Sequence, residues 1–173
     1  AAPAGAYRTR MIVRAPAGRR DFNGRVLVEM MTTTAGLDLD IAWMQAHRHL
    51  IREGWAYGGV TVQQTGLTAL GFFERGVERY TGGPRFGLMT PDAAALPFPQ
   101  GARDPSIAWD LVSQVGQLVT SRTATNPLRD LRPRRTYLTG QSQMAGYAVT
   151  YVNAIHPLAR VYDGFLVVSR SPR

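Results

Sequence analysis

The chain contains no cysteine. Disulfides, thiolate metal centres and a cysteine nucleophile are therefore excluded. Lysine is absent as well: every one of the 20 basic residues is an arginine, set against 12 acidic residues for a net charge of +8. These arginines are scattered, with one cluster at Arg129, Arg132, Arg134 and Arg135. A nucleic-acid surface needs a basic face with aromatic or base-reading partners, so scatter argues against a nucleic-acid partner. A compositional bias in the coding DNA explains the arginines more simply. No apolar run approaches the roughly 18 residues that cross a bilayer, so no membrane span is expected. No charged-then-apolar leader is visible either. The opening Ala1-Ala2-Pro3-Ala4 would suit the residues after a cleavage site, and the cellular compartment stays open.

The 173 residues, 45% hydrophobic and 18% charged, are ordinary for one globular domain with a real core. Strands alternate with helices, which implies an α/β fold: a mostly parallel sheet with helices on both faces. Strands are expected over 7–14, 25–30, 55–62, 135–139 and 161–168. The unbroken apolar run Val26-Leu27-Val28 fits a strand buried on both faces. Asp40 is a good N-cap for a helix reaching Glu53, with Trp43, His47, Leu50 and Ile51 on one face and Gly54 as the stop. Asp104-Pro105 opens a second helix with a stripe of Ala108, Leu111, Val112, Val115, Leu118 and Val119. A third is expected to bury Ala148, Tyr151, Val152 and Ile155. Residues 63–103 lose periodicity and are rich in glycine and proline, as in a functional loop or lid.

The segment Leu138-Thr139-Gly140-Gln141-Ser142-Gln143-Met144-Ala145-Gly146 carries the chemistry. A strand runs into a Gly-x-Ser turn and directly out into a helix, the setting in which that motif denotes a nucleophile elbow. The turn strains the serine and lifts its hydroxyl above the carboxyl edge of the sheet. Gly140 and Ala145 supply the small residues that strand and helix need to pass closely. The usual final glycine of G-x-S-x-G is replaced by Met144. On the motif alone, Ser142 as nucleophile and Ser142 as a plain helix N-cap weigh equally.

Further segments are distinctive: Tyr7-Arg8-Thr9-Arg10-Met11, Phe22-Asn23-Gly24, the strand through Glu29, Leu50-Ile51-Arg52-Glu53-Gly54-Trp55, Gly140-Gln141-Ser142-Gln143, and the stretch from Tyr151 through His156-Pro157-Leu158 to Tyr162-Asp163-Gly164-Phe165. Together they resemble a bacterial family of α/β-hydrolase domain proteins. The resemblance spans nearly the whole chain in order. It implies a serine esterase-like hydrolase that needs no cofactor. In that family the elbow often reads Gly-Glu-Ser-Gln-Ser, so Met144 departs less than it first suggests, and Gln141 stands where an acidic residue is usual.

Topology assigns an oxyanion hole. One donor is the backbone N–H of Gln143, and the other comes from the loop after the second strand, with Thr32 favoured over Met31. The family tends to carry asparagine at the place of Thr32. The bland reading is that these threonines only cap the loop. Met31 and Met144 are taken as substrate-binding, and Phe72, Phe73, Met89, Phe98 and Met30 lean toward an apolar pocket.

A triad needs an acid and then a histidine after the serine. The only later histidine is His156, fourteen residues of helix away, roughly 21 Å at 1.5 Å per residue. His47 and His49 precede the site in the wrong order, and Asp163 opens its strand at the opposite end. The expectation is therefore a fragment, 1–173 being one incomplete hydrolase domain. Its acid and histidine would be supplied by missing residues or a second chain, and the segment alone would be inactive. The substrate would be a small-molecule carboxylic ester, attacked by Ser142 through an acyl-enzyme. The alternative is a noncatalytic binding module with the same pocket.

Overall fold

The computed structural model describes residues 9–63, 65–66 and 107–170. Apart from Gln63, Thr65 and Gly66, the expected cover at 63–103 lies outside the described residues, as do Asp104 and Pro105. Five strands form one sheet: β1 (Met11–Arg14), β2 (Arg25–Met31), β3 (Ala56–Thr61), β4 (Arg135–Gln141) and β5 (Gly164–Val168). Their order is β1-β3-β2-β4-β5. All neighbours run parallel except β1, which pairs antiparallel with β3. The helices are α1 (Ile41–Arg52), α2 (Ile107–Thr120), α3 (Gln143–Thr150) and α4 (His156–Ala159), with one π-helical turn at Tyr151–Ile155. This is the expected α/β architecture.

The apolar run in β2 feeds two cores. Side chains alternate across a strand. Val26, Val28 and Met30 therefore enter the main core, with Ala108, Leu111, Val112, Val115 and Val119 of α2 above them. Leu27 points to the other face and meets Leu50 of α1 and Tyr57 of β3, under Trp43 and Trp55. Burial of both faces is what a central parallel strand requires.

The first helix is held differently from the expectation. Asp40 occupies the N-cap position but makes no side-chain capping bond; it pairs with Arg14 at 2.9 Å instead. The cap comes from Glu29, buried in β2. Its carboxylate accepts the N–H of Ala42 at 2.8 Å and of Trp43 at 3.3 Å, and the hydroxyl of Tyr57 at 2.7 Å. A carboxylate at a helix N-terminus also gains from the helix dipole. Burial nevertheless pushes the Glu29 pKa up, against the pull of those bonds. The Arg14 guanidinium stacks over Trp43, 4.4 Å from the ring centre, and closes the network from outside. At the far end Ile51 is 64% exposed, so it lies off the buried face it was expected to share with Leu50. Gly54, at φ +69°, turns the chain into β3 where a Cβ would strike the carbonyl of Asp21.

Two later boundaries also shift. The helix after Ser142 does not run straight through to Ile155. Pro157 has no N–H to give the turn before it, and its ring crowds that turn's carbonyl, so the helix widens there. Tyr151 is still buried, while Val152 and Ile155 are only half-buried. The fifth strand begins at Gly164 rather than 161. Before it, Asp163 is tied to the start of β4: its carboxylate accepts Thr136 N–H at 2.8 Å and Arg135 at 2.6 Å. That places Asp163 at the amino end of the sheet, away from Ser142, as expected.

Candidate active site

Ser142 joins β4 to α3 in a conformation that side chains rarely adopt, φ 55° and ψ −117°. Such a geometry costs about 1–3 kcal/mol and persists only where its surroundings enforce it. Here the Ser142 amide donates to the carbonyl of Val168, at the end of β5, over 3.0 Å. The Ser142 carbonyl accepts the amide of Ala145 at 3.0 Å. The hydroxyl makes no capping bond to the helix, and the residue is exposed.

Close passage of strand and helix explains the local sequence. A Cβ on Gly140 would come within 2.7 Å of the Met144 carbonyl carbon, so glycine is required there. The same geometry shows why Met144 is tolerated where a glycine is usual. Its backbone approaches Gly140, while its side chain turns into the main core and is 0% exposed. Ala145 is also fully buried.

The second wall is the loop leaving β2. Thr32 and Leu39 form a two-bond bridge: Thr32 N–H to Leu39 C=O at 3.2 Å, and Leu39 N–H to Thr32 C=O at 2.9 Å. Between them the chain turns, with Gly36 N–H donating to Thr33 C=O at 2.8 Å. Asp38 anchors the return. Its carboxylate accepts Arg10 at 2.8 Å and the Thr61 hydroxyl at the end of β3. Burial raises the Asp38 pKa, and the Thr61 and Arg10 bonds partly offset that. The Thr32 and Thr34 hydroxyl oxygens lie 3.1 Å apart.

Loop and elbow enclose a pocket of about 280 Å³. Thr32, Thr34, Ala35 and Leu39 line it from the loop, Ile41 from the start of α1, and Gln141 and Ser142 from the elbow. The surface around the serine is thus mostly apolar, with threonine hydroxyls as its polar points. Among the described residues, none that lines it is charged.

Of the residues singled out from the sequence, Ser142 and Thr32 meet at this pocket. Gln143 is the first residue of α3, so its N–H has no acceptor within the helix. The Thr32 N–H is already given to Leu39, while its hydroxyl lies beside that of Thr34, a second lining residue. Met31 and Met144 are both buried, the latter in the main core, and neither is among the lining residues. Thr34, Leu39 and Ile41 were not picked out. Their only signal was proximity in sequence to Thr32 and to a helix start, which does not tell lining from capping.

The histidines lie elsewhere. The Nδ1 of His47 sits 3.1 Å from the Trp43 carbonyl on α1. His49 lies beside Arg52 at the exposed end of that helix. His156 stacks edge-on against Phe165 at 4.8 Å. Phe165 pairs with Leu138, four residues before Ser142 in β4, which is about 13 Å of strand. Among the described residues, then, no histidine is placed to take the Ser142 proton.

No helix among the described residues is long and apolar enough to cross a membrane. No curated protein matches the chain. The family model described as "Alpha/beta hydrolase domain" matches residues 1–173, the entire chain. Parallel sheet, strand–serine–helix turn and whole-length match agree: the chain belongs to the alpha/beta hydrolase domain family and is a hydrolase in that general sense.

Proposed function

We propose that this hydrolase cleaves carboxylic esters through an acyl-enzyme on Ser142. The observation that carries the reading is the strained, exposed Ser142 at the mouth of an uncharged pocket. An N-cap serine would use its hydroxyl on the helix and would not need φ 55° and ψ −117°. Strain of that kind is maintained where it positions a reacting group.

In the proposed reaction the Ser142 hydroxyl oxygen attacks the ester carbonyl carbon, and its proton passes to a histidine base. That histidine would lie outside this chain, whose three histidines are all placed elsewhere, and so would its acid partner. The carbonyl oxygen takes up negative charge and is met by the Gln143 N–H and by Thr32. Collapse expels the alcohol, which receives the proton, and water then releases the acid. The free N–H groups of α3 add a field favourable to the oxyanion. Leu39, Ile41 and Ala35 would hold an apolar part of the ester.

The second reading is a binding module that uses the same pocket without turnover. What favours it is the position of His47, His49 and His156, all away from Ser142. A fluorophosphonate probe with the full-length protein tests the choice. Labelling that is lost in Ser142→Ala supports the nucleophile; equal labelling of both proteins removes it. Ser142-dependent hydrolysis of a p-nitrophenyl ester then decides for the esterase over the binding module.

A further inference from the structure

The backbone of the loop after β2 has little left to offer an oxyanion at Thr32. Its N–H is committed to Leu39. Its hydroxyl is not. Thr32, Thr34 and Ser142 line the same pocket. The Thr32 and Thr34 oxygens lie 3.1 Å apart on the pocket wall. Two hydroxyls carry two hydrogens, and the bond between them uses one. The other hydrogen is left for a group in the pocket.

We propose that the Thr32 hydroxyl is the second oxyanion donor and that Thr34 is its positioning residue, an inference that rests on the ester-hydrolase reading. Thr34 O–H donates to Thr32 Oγ1, which turns the Thr32 hydrogen toward the substrate carbonyl. Chained hydroxyls polarise each other, so the outer donor strengthens as the carbonyl oxygen gains charge. No proton is transferred along the pair; both hydroxyls only donate hydrogen bonds. The order follows from burial: Thr32 is buried just past the end of β2, whereas Thr34 is exposed in the turn that follows.

The loop that carries the pair is fixed before substrate arrives. The Thr32–Leu39 bridge closes it, the Gly36–Thr33 bond shapes its turn, and Asp38 is clamped to Arg10 and Thr61. Donors that need no reorganisation are the ones that stabilise a transition state most. Asp38 acts on the chemistry only by holding this loop.

The test uses the full-length protein, p-nitrophenyl acetate turnover and the rate of fluorophosphonate labelling. Thr32→Val keeps the shape and should lower kcat roughly 10²-fold with little change in KM. Thr34→Val should cost less, about tenfold at most, and Thr34→Ser should recover the loss. The double variant should fall no further than Thr32→Val, because the two act as one unit. A threefold or smaller loss in Thr32→Val overturns the proposal. So does a loss in Thr34→Val that equals or exceeds it, or an effect confined to KM. Undiminished labelling of Ser142→Ala would remove both this pair and the nucleophile. Lost labelling there, with Thr32→Val at full rate, would remove the pair alone.

Discussion

Tyr57→Phe probes the buried network that seats α1, and with it the pocket wall at Ile41. The substitution removes one oxygen and leaves the ring packing of a fully buried residue intact. What is lost is the 2.7 Å bond from the Tyr57 hydroxyl to Glu29 Oε2, an oxygen otherwise met only by Trp43 N–H at 3.3 Å. A hydrogen bond to a charged group contributes about 1.5–3 kcal/mol, so a loss of about 2 kcal/mol is expected. For a chain of this size that lowers Tm by roughly 4–8 °C. The pH dependence gives a sharper check. The Glu29 pKa is raised by burial, so as pH falls the folded state takes up this proton before the unfolded chain does. The Tyr57 hydroxyl bonds best to the ionised carboxylate, and removing it raises the Glu29 pKa further. The deficit of Tyr57→Phe is therefore full above the folded pKa and shrinks as pH falls through it, toward about 1 kcal/mol for a neutral pair. Calorimetry of both full-length proteins at pH 8 and pH 5 reads this directly. An unchanged Tm at pH 8, or a deficit that grows on acidification, would refute the reasoning.

Other expectations concern the elbow, the loop and the histidines. Ser142→Gly should raise stability by about 1 kcal/mol, because glycine accepts φ 55° without strain while freeing the unfolded chain slightly; a lower denaturation midpoint would mean that the turn is not strained. Gly140→Ala forces strand and helix apart at Met144 and should cost about 1–3 kcal/mol, with slower fluorophosphonate labelling of Ser142; wild-type labelling and Tm would contradict the close passage. Asp38→Ala removes the clamp on Arg10 and Thr61 and should destabilise by about 1–3 kcal/mol, the cost of leaving the half-buried Arg10 and the Thr61 hydroxyl without their acceptor. The raised Asp38 pKa means that the folded wild type takes up this proton before the unfolded chain, so the gap in urea midpoint should widen as pH falls through the folded pKa toward the ordinary aspartate value. His156→Gln should leave Ser142 labelling unchanged, since the ring packs on Phe165 at the other end of the strand; abolished labelling with an unchanged Tm would return His156 to the list of bases.

Much of the fold was legible because it depends on local chemistry. The alternation of β-branched runs with helical stripes gives the α/β class, and the unbroken apolar run Val26-Leu27-Val28 already implies a strand covered on both faces. The strand–Gly-x-Ser–helix sequence singled out the turn at Ser142, since only a sharp turn can join those two elements in so few residues, but by itself it left nucleophile and N-cap equal. Tertiary structure decided everything that depends on residues far apart in the chain. Asp40 had the chemistry of an N-cap, yet Glu29, thirteen residues earlier than Ala42, takes the helix N–H groups because β2 runs beneath α1. Thr32 looked like a backbone donor, but its N–H meets Leu39 only once the loop has folded back. Met144 departed from the motif on paper, and only the packing of α3 shows that its side chain is accommodated in the main core. A sequence records which groups are present; which of them are already engaged is fixed when distant segments compete for the same hydrogen bonds.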